Sequence, residues 1–229
     1  MLGDFTSSMR HSLPGMHDGH LKSVEESCGT TLIAVEFEGG VVIGADSRTS
    51  IGTFVASRVT DKLTKVTDTI YCCRSGSAAD TQAITDVVKY HMDIWQQTHG
   101  QRATVKVTAE VFRQLCYEYR DDFSAGILVA GWDDVLGGQI YSIPIGGMIS
   151  RRPVSSGGSG STFVHGYLDS NFKEKMTQQE AEKFVLEAVT LALERDGSSG
   201  GVVRLGIITG KGIQRKLYLP DQQPKFSQE

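Results

Sequence analysis

Strand-like and helix-like segments come in blocks along this chain instead of alternating, and that order is its strongest constraint on fold. TLIAVEFEGGVVIGADSRTS holds two apolar runs, Thr31 to Phe37 and Val41 to Ala45, joined across Glu38-Gly39-Gly40, the composition of a hairpin turn. A third run, Thr69-Ile70-Tyr71-Cys72-Cys73, follows the charged segment DKLTKVTD. Between Ser77 and His99, the residues Ala79, Ile84, Val87, Val88, His91, Ile94 and Trp95 recur at helical spacing and stop at Gly100. Thr108 to Tyr119 repeats the pattern with Val111, Phe112, Leu115 and Tyr119. Strands return in GILVAGWD and QIYSIPIGG, separated by Asp133-Asp134 and a turn at Gly137-Gly138. A glycine- and serine-rich loop, SSGGSGS, precedes a long helix that starts near Thr177, whose spacing to Glu180 makes a capping box, and ends at Gly197. VVRLGIITG and IQRKLYLP are the last strands, before a polar tail.

Sheet, two helices, sheet, helix, sheet is not the regular alternation of a doubly wound parallel sheet. It implies antiparallel sheets with helices packed outside, and the nearly apolar LIAV and GILVAG imply burial on both faces. The expected fold is α+β: a four-layer αββα sandwich of two antiparallel sheets flanked by helices. At 229 residues the chain is long enough to bury this core as one domain.

With 23 basic against 27 acidic residues the formal charge is -4, which gives no electrostatic reason to expect nucleic acid or an anionic membrane as partner. No apolar run approaches the roughly 20 residues of a membrane span, and residues 1–29 lack the apolar segment of a secretory signal. Cys28, Cys72, Cys73 and Cys116 match neither a zinc spacing nor a secreted disulfide framework, so they read as reduced thiols of a cytosolic or nuclear protein. His11, His17 and His20 cluster without a Cys or carboxylate at ligand spacing; solvated histidines are the simpler reading, and no metal or cofactor is expected.

The chain has no G-x-S-x-G, no H-E-x-x-H, no phosphate loop and no dinucleotide fingerprint. Its small polar groups stand instead at strand ends: Thr30 in CGTTLIAV, Asp46 in GADSRTS, Asp61-Lys62 in VTDKL, Ser75-Gly76-Ser77, Ser159 in GSGS, and Asp196-Gly197-Ser198-Ser199-Gly200-Gly201. In this order the motifs GTT, GADSRT, DKL, CRSGSAADTQ, GSGST and DGSSGG resemble the catalytic β subunits of the proteasome, a branch of the N-terminal nucleophile hydrolases. The resemblance runs from Gly29 to the last strand and implies the same four-layer sandwich.

It also implies a chemistry. A threonine hydroxyl alone is a weak nucleophile, but cutting the bond after Gly29 gives Thr30 a free α-amine with an unperturbed pKa of about 7.7–8.0, able to take the hydroxyl proton near neutral pH. Residues 1–29 would then be a pro-segment removed on maturation, by self-cleavage eased by Gly29, and residues 30–229 the hydrolase domain. By resemblance Asp46 and Lys62 complete the catalytic trio with Thr30, Gly76 donates its backbone N–H to the oxyanion, and Ser159, Asp196 and Ser199 support the terminal amine. Each has a plainer alternative: a linker glycine at Gly29, a surface ion pair at Asp61-Lys62, an ordinary turn at Gly76, and serines that merely populate glycine-rich loops.

The same resemblance puts Thr49, Thr60, Arg74 and Ala78 in the pocket beside Thr30, with the Ser50 backbone pairing an extended peptide as an added strand. An arginine at a pocket floor suits a carboxylate, so Arg74 points to cleavage after Glu or Asp, the caspase-like branch; its alternative is an exposed arginine answering Asp80. The implied partners are other α and β subunits in stacked seven-membered rings, assembly chaperones and unfolded polypeptide substrate, in ubiquitin-dependent degradation in cytoplasm and nucleus. A non-catalytic ring subunit and a small-molecule amidase of the same superfamily are the competing readings. The first has no need of Thr30, Asp46 and Lys62 together, and the second commonly begins with Cys or Ser.

Overall fold

A computed structural model of the chain describes residues 29–51 and 54–226; His11, His17, His20, Cys28 and the last residues of the tail lie outside them. In chain order the strands are β1 (Leu32–Phe37), β2 (Gly40–Ala45), β3 (Thr49–Ile51), β4 (Phe54–Ser57), β5 (Leu63–Lys65) and β6 (Ile70–Gly76). Two helices follow, α1 (Ala78–His99) and α2 (Val105–Glu118), then β7 (Ala125–Asp133), β8 (Gly137–Ile143), β9 (Ser150–Arg151) and β10 (Val154–Gly157). A 3-10 turn (Ser159–Phe163) leads to α3 (His165–Asn171), α4 (Gln178–Arg195), β11 (Val203–Thr209) and β12 (Gly212–Tyr218).

One five-stranded antiparallel sheet has the order β10-β1-β2-β11-β12 and the other β5-β6-β7-β8-β9; β3 and β4 form a separate ribbon. The period of two in β1 sorts its side chains between layers. Leu32 and Ala34 face the second sheet, packing in one cluster with Tyr71, Cys73, Leu128 and Ile140. Ile33 and Val35 face α4, in a cluster with Phe184, Val185, Ala188 and Val189. On the far side Ile70, Cys72, Ile127 and Val129 pack on Ile84, Val88 and Met92 of α1 and Phe112 of α2. Helix, sheet, sheet, helix is therefore the observed layering, as the block order and the apolar runs imply.

Local signals hold at most boundaries. Gly100 ends α1 in the left-handed region (φ 62°), and Thr177 and Glu180 make the reciprocal capping box of α4. Three readings need correction. SSGGSGS is no open loop: Val154–Gly157 is an edge strand on β1, with Gly157 opposite Leu32, and the rest is the 3-10 turn. DKLTKVTD contains β5, which pairs with β6 because the ladder offers partners, not because Leu-Thr-Lys carries a strand pattern. Helix α2 begins at Val105, three residues before Thr108, because the Thr104 hydroxyl caps it by accepting from the Val107 N–H.

Candidate active site

Thr30 precedes β1 and Asp46 follows β2, and since Leu32 pairs with Ala45 the antiparallel hairpin brings the two to one end of its sheet. Lys62 arrives from the other sheet, just before β5. All three are buried: Thr30 is 1% exposed, Asp46 0% and Lys62 5%. The Lys62 ammonium donates to Asp46 Oδ1 (2.7 Å), to Thr30 Oγ1 (3.0 Å) and to the Gly29 carbonyl oxygen (3.0 Å). Asp61, its neighbour, faces outward and pairs with Arg215, so the surface-pair reading fits Asp61 and not Lys62.

Asp46 is held from both sides. Oδ1 also accepts from the Thr31 N–H (3.0 Å), and Oδ2 accepts from the N–H groups of Arg48 (3.1 Å) and Gly200 (3.1 Å). A carboxylate ringed by backbone donors and one ammonium is a buried charge with its hydrogen bonds met, the condition under which such a group is tolerated. Two other Lys62 bonds go to the Thr30 hydroxyl and the Gly29 carbonyl, on either side of the Gly29-Thr30 peptide bond.

A second chain of hydrogen bonds reaches the Thr30 nitrogen. The Thr30 N–H donates to Ser159 Oγ (3.2 Å), and Ser159 donates to Asp196 Oδ2 (2.7 Å). Ser199 donates to the same Oδ2 (2.6 Å) and accepts from the Thr31 hydroxyl (2.9 Å). Ser199 thus accepts once and donates once, while Ser159 accepts from the Thr30 N–H and donates to Asp196, with a longer contact to the Thr30 carbonyl oxygen (3.5 Å). The Ser198 N–H satisfies Asp196 Oδ1 (3.0 Å). The structure therefore brings Ser159, Asp196 and Ser199 together behind Thr30.

Gly29 is needed for space. A Cβ built there would lie 2.0 Å from Ser198 Cβ and 2.5 Å from the Ser198 carbonyl oxygen, and no positive φ is involved. Gly76 is needed for conformation as well: its φ is 100°, and a Cβ would lie 2.2 Å from the Ser124 carbonyl oxygen. The ladders orient its amide. The Arg74 N–H bonds the Lys62 carbonyl (3.3 Å) and the Ser77 N–H bonds the Ser124 carbonyl (2.8 Å), so by alternation the Gly76 N–H points away from β7, toward the side from which Lys62 comes. Gly76→Ala is expected to cost about 1–3 kcal/mol of folding stability from the backbone conformation alone, read as a lowered denaturant midpoint.

Arg74 and Lys62 are cross-strand neighbours, which puts their side chains on one face of the sheet. Arg74 Nε is buried without a hydrogen-bond partner, and among the described residues no ion pair joins Arg74 to Asp80, whose Oδ2 accepts from the Ser124 N–H (3.1 Å). Arg74 is half-buried and does not answer Asp80. Thr49 and Thr60 share a hydrogen bond between their hydroxyls (2.9 Å), Ser50 pairs with Val55 across the β3-β4 ribbon, and Ala78 is exposed at the start of α1. Sequence reasoning missed Thr31, Arg48, Ser198 and Gly200, all four of which donate backbone N–H groups that leave no trace in residue type; Thr31 also acts through its side chain.

Cys72, Cys73 and Cys116 are buried and free, and burial pushes the Cys72 and Cys116 thiols up to about 11, away from reactive thiolate. Among the described residues no group of three His, Cys, Asp or Glu side chains could hold a metal ion, and no helix is long and apolar enough to cross a membrane.

The two-sheet sandwich agrees with sequence comparison: residues 26–208 match the proteasome subunit family, and the chain belongs to it, on the beta side. It is 50% identical over 202 residues to proteasome subunit beta type-1 of Saccharomyces cerevisiae, covering 88% of this chain and 94% of that one. Proteasome subunit beta type-6 of Dictyostelium discoideum is 50% identical over 198 residues (86% and 92%). Proteasome subunit beta type-9 of Homo sapiens is 46% identical over 205 residues (90% and 93%).

Proposed function

We propose that this chain is a threonine endopeptidase of the proteasome, made as an inactive precursor and cleaving peptide bonds after acidic residues. The observation that carries the reading is the Lys62 ammonium, buried on Asp46 and bonded at once to Thr30 Oγ1 and the Gly29 carbonyl oxygen. In maturation the Thr30 hydroxyl adds to the Gly29 carbonyl carbon, the Gly29–Thr30 C–N bond breaks as its nitrogen takes a proton, and an ester links Gly29 to Thr30 Oγ1. Water hydrolyses that ester, releasing residues 1–29 with a new carboxylate and leaving Thr30 with a free hydroxyl and amine. In turnover the amine takes the hydroxyl proton as Oγ1 attacks the substrate carbonyl, and later returns a proton to the leaving nitrogen. Lys62 stabilises negative charge on Oγ1, the Gly76 N–H stabilises the oxyanion, and the relay from Ser159 to Asp196 and Ser199 holds the amine in place.

Arg74 beside Lys62, with a buried Nε that has no partner, is the feature that favours an acidic side chain before the cut. Thr49, Thr60 and Ala78 would line the same pocket, and the Ser50 backbone would align the peptide. The enzyme would work within a particle of α and β subunits in stacked rings, built with assembly chaperones and fed unfolded polypeptide, in cytoplasm and nucleus.

Assembled particles assayed with a fluorogenic peptide ending in Glu, alongside N-terminal sequencing, test this directly; activity with Thr30 at the new terminus is expected. Arg74→Leu should lower post-Glu cleavage by on the order of 10²–10³-fold, the range for truncating one side of a buried charge pair. Self-processing should persist in that variant, because Gly29 offers the pocket no carboxylate. Unchanged post-Glu cleavage refutes the pocket assignment.

A further inference from the structure

We propose that Asp80 is a positioning residue for the Gly76 amide, an inference that rests on the reading of Gly76 as oxyanion donor to the Thr30 reaction. Ser77-Ala78-Ala79-Asp80 has the spacing of a helix-capping box, in which the fourth side chain reaches back to the first residue's N–H. Here that N–H is already taken: Ser77 donates it to the Ser124 carbonyl (2.8 Å). The Ser77 hydroxyl still caps the helix by accepting from the Asp80 N–H (3.3 Å), but the Asp80 carboxylate turns away and accepts from the Ser124 N–H (3.1 Å).

The reason lies in the ladder. The β6-β7 register runs to Gly76 opposite Ala125, so the next pair is Ser77 with Ser124, which in a continuing sheet would exchange two backbone bonds. Only one can form, because helix α1 claims the Ser77 carbonyl, which accepts from the Thr81 N–H (3.0 Å) and the Thr81 hydroxyl (2.8 Å). Asp80 Oδ2 supplies the missing acceptor and extends the ladder one pair past Gly76 through a side chain. Ser124 is thereby fixed at both its N–H and its carbonyl, and that carbonyl oxygen is the atom a Cβ on Gly76 would meet at 2.2 Å. Ser75 secures the other flank by donating its hydroxyl to the Gly126 carbonyl (2.9 Å). An oxyanion donor is effective only when already aimed; Asp80, acting through Ser124, keeps Gly76 aimed.

The test uses assembled particles carrying Asp80→Ala or Asp80→Asn, a fluorogenic peptide ending in Glu, and a peptide boronate that forms a tetrahedral adduct. Asp80→Ala is expected to lower kcat by about tenfold to a hundredfold, less than outright loss of such a donor, with KM changed by less than about twofold. Boronate affinity should fall in parallel. Asp80→Asn, which keeps an acceptor for the Ser124 N–H, should restore kcat to within about threefold of the parent. Should Asp80→Ala fail to assemble, Asp80→Glu keeps the charge but displaces the acceptor by one methylene, and carries the same expected kcat loss. An unchanged kcat, a loss confined to KM, or an Asn variant as impaired as the Ala variant overturns the role of Asp80 alone. A parent particle whose post-Glu activity is indifferent to Thr30→Ala overturns the reading of the site, and the role of Asp80 with it.

Discussion

Thr30→Ala should leave the chain uncut, with residues 1–29 still attached, and should lower post-Glu cleavage by on the order of 10⁴-fold or more, the scale seen when a nucleophile that works as part of a unit is removed. The two effects share one atom. Oγ1 is the hydroxyl to which Lys62 donates in the uncut chain, and alanine removes the acceptor without disturbing the Gly29 carbonyl or the Asp46 ion pair. The fold should tolerate the change, because Thr30 contributes only a small buried side chain to a site held together by Asp46, Ser159 and Asp196. Intact-mass measurement reads the first effect and peptide hydrolysis the second. A Thr30→Ala chain trimmed at the same bond would show that another protease makes the cut, leaving the turnover role to be judged by the hydrolysis rate alone.

Thr30→Ser separates the nucleophile from its surroundings. It keeps an oxygen within reach of Lys62 and should retain both processing and a measurable fraction of the rate, whereas a purely structural role for Thr30 would leave alanine and serine alike.

How much of this is legible in the sequence depends on whether a residue works through its side chain's polarity or through its backbone. Ile84, Val87 and Val88 at helical spacing declare α1, although its buried face continues through Met92 and leaves Ile94 exposed; LIAV and GILVAG declare strands buried on both faces. Val154-Ser155-Ser156-Gly157 makes an equally regular edge strand, yet its small side chains carry no alternation to read. Within the site, Thr30, Asp46 and Lys62 are separated by sixteen residues at each step, a spacing that matches no single helix face or strand. Their proximity follows from the pairing of Leu32 with Ala45 and from the stacking of two sheets, neither of which local pattern contains. Only the ordered set of motifs pointed to it. The two threonines after Gly29 have separate tasks: Thr30 presents its hydroxyl to Lys62, while Thr31 gives its N–H to Asp46 and its hydroxyl to Ser199, joining the two hydrogen-bond chains through adjacent residues.

Lys62→Met is expected to abolish both processing and turnover and to destabilise the chain by about 3–5 kcal/mol, the cost of leaving a buried charge without its partner. The stranded charge is Asp46, which is fully buried and keeps its three backbone donors but loses the only cation bonded to it among the described residues. Stability and rate can then be separated with a second change. Lys62→Met with Asp46→Asn removes the unpaired charge and retains an amide oxygen for the Arg48 and Gly200 N–H groups, at the cost of setting its NH2 against the Thr31 N–H, so part of the lost stability should return. Activity should not, because no cation then faces Thr30 Oγ1 and the carbonyl of Gly29. Chemical denaturation reads the first and peptide hydrolysis with intact mass the second. Recovery of cleavage in the double variant would mean that Lys62 serves only to neutralise Asp46. Lys62→Arg sharpens the distinction: a planar guanidinium keeps the charge but cannot place three protons around one point as an ammonium does, so it should preserve more stability than rate.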